Sequence, residues 1–355
     1  MKILLVRLRQ IGDVVFTTPT FAALRNRFPD ARLTYLVEPA AAPVVLGNPH
    51  LAEVIVAPRQ SGVGGFLADL TLGRRLARER YDLAIDFHGG PRASLLTWLS
   101  GARRRVGYAI PGRSWMYTER VHRPRELRPR HSVENQWDLL DVLGVAPPSP
   151  ATYPVEMPLN AEVARTVANR LEAHGVRPGH RLVILHVSAG NPFRRWPIPS
   201  FATVAASLAA AQPDVRVVIT SGPSEADAAA RVIATAREEL RPDRRDGVLE
   251  CGEFSLAELR ALLERAALYI GGDSGPMHIA ATSRVPMVSL YGPTLPVRSR
   301  PWRDDSVPSA AIEVVGLPCR PCDQRVCAPG DFRCLGLITP AQVIDASLRL
   351  LRGTR

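Results

Sequence analysis

The chain has almost no lysine, and this shapes its charge. Lys2 is the only lysine in 355 residues, so arginine supplies nearly all of the net charge of +11. Such a basic chain suits a polyanionic partner: a nucleic acid, an anionic membrane, or a substrate rich in phosphate and carboxylate. Compositional drift from lysine to arginine is the alternative. Because clusters such as Arg103-Arg104-Arg105 lie in the first half, we expect the anionic partner there.

Long apolar runs and a signal peptide are also missing. No apolar run approaches the ~20 residues of a membrane-spanning helix. The amino terminus is briefly apolar, but Arg7 and Arg9 interrupt it and no cleavage site follows. We therefore interpret it as the first β-strand of a cytoplasmic protein. Hydrophobic residues make up 46% of the chain, which is enough for globular cores, and two domains are the default at this length.

A dinucleotide-binding fingerprint is absent as well. The segment after the first strand, Gln10-Ile11-Gly12-Asp13, does not match Gly-x-Gly-x-x-Gly, so a dinucleotide site is poorly supported. Cysteine is rare outside the C-terminal region, where four of the five lie. A cytoplasmic setting disfavours disulfides. Cys251 stands alone beside a strand signal, and we expect it to be a small buried residue.

Strand and helix signals alternate along the chain, which predicts an α/β fold with parallel sheets covered by helices. Strands are predicted at Ile3–Leu8, Arg32–Val37, Val54–Val56, Leu83–Phe87, Arg181–Val187, Val215–Thr220, Ala266–Ile270 and Met287–Leu290. Helices are predicted at Pro19–Phe28, Phe66–Arg80, Pro91–Leu99, Ser132–Leu143, Pro199–Ala211, from Ser224 onward, Ser255–Ala266 and Pro340–Leu351.

Five prolines between Val145 and Asn160 predict a stiff connector, and we place the domain boundary there. The expected domains are doubly wound and cover residues 1–157 and 158–355. Ligands of such domains bind outside the carboxyl ends of the strands, so we expect a cleft there between the two halves. The last helix, residues 340–351, could pack back on the N-terminal domain.

The stretch from Gly271 to Ala281 carries the most chemical information. It combines an apolar strand, a glycine-rich turn and a helix start with Asp273, Ser274 and His278. Glycine lets a ligand approach the backbone, and N–H groups at a helix start attract phosphate. Asp273 suits sugar hydroxyls, Ser274 and Gly275 suit phosphate, and His278 lies one turn beyond Ser274 on the same face. We expect this segment to bind a phosphorylated small molecule, and an activated sugar fits best. A purely structural histidine is the alternative for His278.

Asp13 lies after the first strand, in what the sequence indicates is a strand-to-helix loop. A carboxylate there can accept the proton of an attacking sugar hydroxyl as a general base. The alternative is a loop aspartate that accepts backbone N–H bonds and fixes the turn. The local sequence favours neither interpretation.

Two further segments follow strands of the second half. The loop from His186 to Pro197 contains Ser188, Arg194 and Arg195, and arginine can clamp a diphosphate with two parallel hydrogen bonds. The alternative is a surface loop with solvated arginines that Trp196 anchors. In the next segment Ser224 suits a helix N-cap and Glu225 its first turn, which the sequence favours over a role in binding a ribose diol.

Four cysteines lie within sixteen residues near the end of the chain, in a loop at residues 318–335. Four thiols at such spacing suit tetrahedral zinc or a single iron. The spacing is neither a pair of Cys-x2-Cys knuckles nor a ferredoxin pattern. We predict a structural metal that closes the loop, with reduced, packed thiols as the alternative. The predicted ligands are Cys319, Cys322, Cys327 and Cys334.

Taken together, these residues resemble glycosyltransferase family nine, the bacterial ADP-heptose:lipopolysaccharide heptosyltransferases, over nearly the whole chain. The resemblance is carried by Ile11-Gly12-Asp13-Val14-Val15 with Thr18-Pro19, Tyr81–Asp86, Arg104–Tyr108, His131–Glu134 with Leu139-Leu140, Arg194–Pro197, Glu225 and Gly272–His278. In one departure, Arg194 stands where the family commonly has lysine, and the two cations differ in geometry. The cysteine-rich tail is similar to one seen in some members.

The resemblance implies a GT-B fold and an inverting transfer of heptose from ADP-heptose to the inner core of lipopolysaccharide. It makes Asp13 the general base, Glu225 the ribose ligand, and residues 273–275 with His278 the ligands of sugar and diphosphate. No catalytic metal is expected. The complete set of expected donor-binding residues is Ser188, Arg194, Arg195, Glu225, Asp273, Ser274, Gly275 and His278. The expected acceptor-binding residues are Gly12, His88 and Arg92.

The expected partners are therefore ADP-heptose and an anionic, lipid-linked oligosaccharide, with peripheral contact to an anionic membrane at the cytoplasmic face. A glycosyltransferase with another nucleotide sugar or a protein acceptor is the first alternative. A non-enzymatic nucleic-acid-binding protein is a remote one, because no basic-aromatic reading surface is evident, and no nucleic acid is expected.

Overall fold

The structure is a computed structural model that describes residues 1–58, 61–122, 130–187, 190–322 and 324–353. The chain divides into two compact units, Met1–Pro158 and Leu159–Arg355. Within the described residues, no helix combines the length and the apolar character needed to cross a bilayer.

The first unit is built on a six-stranded sheet whose neighbouring strands are all parallel. Its strands are β1 (Lys2–Val6), β2 (Arg32–Val37), β3 (Glu53–Val56), β4 (Leu83–Asp86), β5 (Arg104–Tyr108) and β6 (Glu119–Val121). Their order across the sheet is β3-β2-β1-β4-β5-β6. Its helices are α1 (Ile11–Thr17), α2 (Pro19–Arg27), α3 (Gly62–Arg78), α4 (Pro91–Leu99) and α5 (Ser132–Asp141).

The second unit repeats this plan. Its strands are β7 (Arg181–His186), β8 (Val215–Thr220), β9 (Val248–Leu249), β10 (Ala266–Gly272), β11 (Met287–Tyr291) and β12 (Ser309–Glu313). Its helices are α6 (Ala161–Ala173), α7 (Ile198–Ala211), α8 (Ala226–Glu239), α9 (Leu256–Glu264), α10 (Gly275–Ala280), α11 (Pro296–Ser299), α12 (Arg333–Gly336) and α13 (Pro340–Arg352). The strand order is β12-β11-β10-β7-β8-β9, again parallel throughout.

Both sheets follow from near-continuous apolar runs, which is the pattern of strands buried on both faces. The central strands β4 and β10 are buried along most of their length. The order of each sheet reverses beside its first strand: β1 pairs with both β2 and β4, and β7 pairs with both β8 and β10. Ligands of open α/β sheets bind at the carboxyl ends of the strands at such a switch point. Each unit therefore has one such crevice.

The predicted α/β class is confirmed, but the local prediction around Asp13 is wrong. The segment after β1 is not a loop: it forms α1, and Asp13 lies in the first turn of that helix. Gly12 and the β-branched pair Val14-Val15 disfavour a helix intrinsically. Full burial of Val14 and Val15 outweighs that preference.

The start of α8 also differs from the prediction. Residues Pro223–Glu225 form a 3-10 turn, so α8 begins at Ala226, and Ser224 is not its N-cap. The short strands β5, β6, β9 and β12 had no strong sequence signal, because most lie toward sheet edges and carry polar residues. Cys251 is buried as expected.

The last helix, α13, packs on α7 and on strands β10, β11 and β12 of the second unit. A capping box between Thr339 and Gln342 starts it. Val343, Ala346 and Leu351 lie on its buried face and belong to the core of that unit. The helix therefore covers one face of the second sheet at strands β10, β11 and β12.

Candidate functional site

Asp13 is held by an arginine that the sequence analysis missed. Its carboxylate forms an ion pair with Arg7, and its side chain remains 40% exposed. Arg7 directly follows β1 and donates a 2.5 Å hydrogen bond to the carbonyl of Phe87, just after β4. Arg7 thus spans the switch point of the first sheet and fixes the Asp13 carboxylate there. A polar residue directly after a central strand was the available signal.

The backbone of Asp13 is fixed from the other side. The Thr17 hydroxyl lies 2.8 Å from the Asp13 carbonyl and 2.7 Å from Gln136 Oε1. Gln136 Nε2 also donates to the Asp13 carbonyl at 3.3 Å. Because both the backbone and the side chain of Asp13 are hydrogen-bonded or ion-paired, its carboxylate has a fixed orientation. Gly12 precedes Asp13 in α1.

His88 belongs to the same crevice as Asp13. Burial lowers the pKa of His88 to about 4, and the positive charges of Arg7 and Arg9 add to that effect. The side chain is therefore neutral at physiological pH. Its backbone N–H donates to Asp86 Oδ1 at 2.9 Å, so the loop after β4 is anchored to a carboxylate that is itself fully buried.

Asp86 is a second residue that the sequence analysis did not single out. It accepts a 2.6 Å hydrogen bond from the Tyr117 hydroxyl and another from the N–H of Gly89 at 2.8 Å. Burial raises its pKa, against the effect of these donors. The network supports the loop that presents His88.

Arg92 is engaged elsewhere. Its guanidinium donates to the carboxylates of Asp69 and Glu38 and to the carbonyls of Ala57 and Pro58. These bonds use all five of its N–H groups. An acceptor molecule would have to displace one of these hydrogen bonds in order to bind Arg92. Arg92 is therefore a less accessible acceptor ligand than His88.

In the second unit, Asp273 follows β10 and is only 3% exposed. The Thr294 hydroxyl donates to Asp273 Oδ2 at 2.5 Å, and His278 Nε2 lies 3.5 Å from Oδ1. Arg194 Nη1 lies 3.3 Å from Oδ2 and donates to the Asp273 carbonyl at 3.0 Å. Burial alone would raise the pKa of Asp273, but His278, then Arg194 and Thr294, lower it to about 2. Asp273 is therefore an ionised, buried hydrogen-bond acceptor.

Ser274 and Gly275 adjoin this carboxylate. Ser274 is the extended N-cap of α10, and its buried hydroxyl has no hydrogen-bond partner in the part of the chain that the structure describes. Helix α10 has only six residues and Pro276 at its start, so its dipole is small. Arg194, which contacts Asp273, adds a full positive charge beside this turn.

The loop that carries Arg194 lies against β10. Residues Pro192–Arg194 form a 3-10 turn, and Asn191 caps it by accepting from the N–H of Phe193 at 3.0 Å. A Cβ atom at Gly272 would lie 3.3 Å from the Arg194 carbonyl, so glycine there permits the close approach. Trp196 is buried and donates to the Ile338 carbonyl at 3.1 Å, as the anchor the sequence suggested. Ser188 lies outside the described residues.

The sequence favoured a place for Glu225 in the first turn of α8, but Glu225 occupies the N-cap position of that helix, and its side chain makes no capping hydrogen bond there. Its side chain is 7% exposed and accepts a 2.8 Å hydrogen bond from Arg195 Nη2. The pair places a carboxylate at the carboxyl end of β8, beside β7. Buried His186 at the end of β7 contacts Thr220 through Nδ1 at 3.0 Å, and burial lowers the pKa of His186 to about 4.

The four C-terminal cysteines line one cavity of about 220 Å³ together with Phe193 and Phe332. Burial raises the pKa of the Cys334 thiol, and Cys319 and Cys327 add to that effect. Across the described ranges, which omit Asp323, no three His, Cys, Asp or Glu side chains are placed to hold a metal ion. The thiols thus face a common cavity without forming a closed set of ligands.

Comparisons with known proteins point in the same direction. The family model for glycosyltransferase family 9 (heptosyltransferase) matches residues 70–331. The lipopolysaccharide heptosyltransferase 3 of Escherichia coli K12 is 29% identical, over 97% of this chain and 96% of the relative.

Solved structures show the same fold. A glycosyltransferase of family 9 from Veillonella parvula superposes with a TM-score of 0.84 at 24% identity, covering 99% of this chain and 97% of that one. The E. coli ADP-heptose lipopolysaccharide heptosyltransferase II gives 0.79 at 20% identity, covering 99% of both chains. The iron-containing dodecameric glycosyltransferase TibC of E. coli gives 0.54 at 16% identity, covering 100% of this chain and 77% of that one.

These matches confirm the GT-B class and the resemblance drawn from the residues. The family model alone covers well over half of the chain. The chain is a glycosyltransferase and belongs to glycosyltransferase family 9, the heptosyltransferases.

Proposed function

We propose that this enzyme transfers a heptose from ADP-heptose to the inner core of lipopolysaccharide, with inversion at the anomeric carbon. The main observation in support of donor binding is the buried, ionised Asp273, which lies at the switch point of the second sheet. Its carboxylate is held among His278, Thr294 and Arg194. The names of the similar proteins support heptose, ADP and lipopolysaccharide as the ligand classes.

In this proposal Asp273 accepts hydrogen bonds from sugar hydroxyls. Arg194 uses Nε and Nη1 within the described part of the protein, so Nη2 is the atom proposed to donate to the diphosphate. The Ser274 hydroxyl and the Gly275 N–H add donors. Glu225 binds the ribose diol, with Arg195 orienting its carboxylate. Because Arg194 places positive charge beside the leaving ADP, we propose that transfer proceeds without a catalytic metal.

Asp13 is the proposed general base, with Gly12 and His88 beside the acceptor. The acceptor hydroxyl oxygen forms a bond to the anomeric carbon while the bond from that carbon to the diphosphate oxygen breaks. The hydroxyl proton passes to Asp13, and ADP leaves with the bonding electrons. Arg7 holds the carboxylate in position, and neutral His88 can accept a hydrogen bond from the acceptor.

An exposed stripe on α3 supports contact with a lipid-linked acceptor at an anionic membrane. Val63, Phe66 and Leu67 are 77%, 55% and 56% exposed, at the i, i+3, i+4 spacing of one helical face. Arg74 continues the same face one turn after Leu70. Apolar side chains followed by arginine fit an anionic lipid surface, which supports our proposal that the enzyme works at the cytoplasmic face of the inner membrane.

The cysteine loop is proposed to hold a structural zinc or iron. Four thiols around one cavity are a suitable donor set for either metal, and a structure of the same fold is described as iron-containing. The ligands would be Cys319, Cys322, Cys327 and Cys334. The sulfurs would draw together when the metal binds, which would close the loop.

The test of the function combines binding and turnover. Calorimetric titration with ADP, UDP and GDP is expected to show binding of ADP well ahead of the other two, and a transfer assay with ADP-heptose and heptose-deficient lipopolysaccharide is expected to release ADP. A preference for UDP or GDP would support the alternative of another nucleotide sugar and contradict the donor assignment. Binding of nucleic acid that is steeply salt-dependent, without any ADP binding, would contradict the enzyme altogether.

A further inference from the structure

The cysteine loop reaches directly into the donor site through Gln324. Gln324 Oε1 accepts a hydrogen bond from Arg194 Nε at 2.8 Å and a second from Asn191 Nδ2 at 2.8 Å. One amide oxygen therefore ties together the cap of the Pro192–Arg194 turn and the arginine at its end. Arg194 is thereby held between Gln324 on one side and Asp273 on the other.

The fold of the cysteine loop sets the position of Gln324. Its backbone is left-handed, with φ of 61°, a conformation that few non-glycine residues adopt. Its N–H donates to Cys322 Sγ at 3.2 Å. The amide that holds Arg194 is thus positioned by one of the four thiols.

The same loop also supports Thr294, a second group that contacts the Asp273 carboxylate. Arg320 Nη2 donates to the Thr294 carbonyl at 2.7 Å, and the Cys322 N–H donates to the Pro293 carbonyl at 3.1 Å. Thr294 in turn donates its hydroxyl to Asp273. Two of the three groups that surround the Asp273 carboxylate therefore depend on the cysteine loop.

An aromatic contact joins the two loops as well. Phe193 and Phe332 meet edge to face, with ring centroids 5.3 Å apart, and both line the cavity of the cysteines. Such a pair contributes beyond its buried area. The turn that carries Arg194 is therefore packed against the cysteine loop as well as bonded to it.

We propose that Gln324 is a positioning residue for Arg194, so that the cysteine loop sets the affinity for the diphosphate of the donor. This inference rests on the proposed function, because it assigns the diphosphate to Arg194. Gln324 itself contacts no reacting atom. Without the acceptor oxygen of Gln324, the Arg194 side chain would sample other rotamers. Its guanidinium would then no longer be held in the orientation that binds the diphosphate.

The test uses Gln324→Met, which keeps the side-chain length but removes the amide oxygen that accepts both hydrogen bonds, and Gln324→Asn, which keeps the amide but shortens its reach. Each is expected to weaken ADP binding by about tenfold, the typical cost of a lost hydrogen bond to a charged group. In turnover assays KM for the donor is expected to rise while kcat at saturating donor changes by less than about threefold. Gln212→Met, outside both loops, is the matched control and should bind ADP as the wild type does.

A double-mutant cycle separates positioning from a general structural role. If Gln324 acts through Arg194, Gln324→Met should weaken ADP binding far less in an Arg194→Ala background than in the wild type. Equal weakening in both backgrounds would overturn the proposal, as would wild-type ADP affinity in Gln324→Met or Gln324→Asn. If the wild-type protein itself does not bind ADP, the proposed function fails and this inference falls with it.

Discussion

Arg7 and Asp13 form an ion pair in which the arginine, anchored on the Phe87 carbonyl after β4, holds the carboxylate at the carboxyl end of β1. The pair joins the two strands that flank the switch point of the first sheet. A planar guanidinium can bond the carbonyl and the carboxylate at once, which an ammonium group does less well. The geometry of the pair is therefore specific to arginine.

Asp13→Asn should remove the proposed base while leaving the donor site intact. We expect kcat to fall by about 10²–10⁴, the usual contribution of general-base catalysis, with ADP affinity unchanged. Steady-state transfer kinetics and calorimetry with ADP measure the two effects. Asp30→Asn, at an exposed position, is the control and should leave both unchanged. Undiminished turnover in Asp13→Asn would remove Asp13 from the mechanism.

Arg7→Lys and Arg7→Met should reduce turnover in graded steps. Lysine keeps the charge beside Asp13 but cannot bond Asp13 and the Phe87 carbonyl with the same geometry, so we expect kcat to drop by about tenfold, and further with methionine. Donor KM should stay close to the wild-type value, since Arg7 belongs to the other unit's crevice. A rise in donor KM with unchanged kcat would show that Arg7 acts elsewhere.

Thr294→Val should weaken donor binding by removing the hydroxyl that donates to Asp273. A hydrogen bond to a buried carboxylate contributes about 1.5–3 kcal/mol, so we expect the Kd for the donor to rise by about ten- to a hundredfold. Thr294→Ser keeps the hydroxyl and is the matched control. Equal binding by the valine and serine variants would show that the Asp273 carboxylate does not need this donor.

The sequence predicted the parallel α/β plan, which the structure confirms, because buried strands leave continuous apolar runs. It also singled out Asp273 and His278 as candidate site residues, because they follow such a run within a short motif. It missed Arg7, which directly follows β1, and Thr294, which lies three residues after β11, because a single polar residue after a strand is a weak signal. Gln324 could not be predicted at all. Its role depends on where a left-handed loop places one amide, and no local pattern encodes that contact.

The start of α1 shows a second limit of prediction from the sequence, that of intrinsic helix propensity. Intrinsic propensity argued against a helix at Gly12-Asp13-Val14-Val15, and tertiary burial of the valines reversed the outcome. The correction matters for function, because the helix fixes the direction of Asp13 through the hydrogen bonds of Thr17 and Gln136. A loop aspartate would have lacked that orientation.

The cysteine loop should carry metal if the structural site exists. Elemental analysis of purified protein is expected to give about one zinc or iron per chain, since four thiolates complete a tetrahedral site. Cys319→Ser together with Cys327→Ser should abolish that metal and lower the thermal unfolding temperature, whereas Cys251→Ser should leave the metal content unchanged. Zinc and iron both far below one per chain in the wild type would contradict the site.

Buried His186 and half-buried His88 should make the fold sensitive to mild acid. Burial lowers the pKa of His186 to about 4 from its ordinary 6.5, and His88 shows the same lowering. Between these values the unfolded chain binds the proton and the folded chain does not, so the free energy of unfolding falls as pH drops. His186, the buried one of the two, contributes a slope of about 1.4 kcal/mol per pH unit in that window.

His186→Gln should therefore flatten the pH dependence of stability without changing its sign. Glutamine does not titrate and can still hydrogen-bond Thr220, so the difference in unfolding free energy between about pH 6.5 and about pH 5 should shrink by roughly 2 kcal/mol. Urea denaturation at the two pH values measures the slope. The exposed His174 gives the control, His174→Gln, which should leave the slope as it is. An unchanged slope in His186→Gln would mean that His186 binds its proton as readily in the folded chain as in the unfolded one.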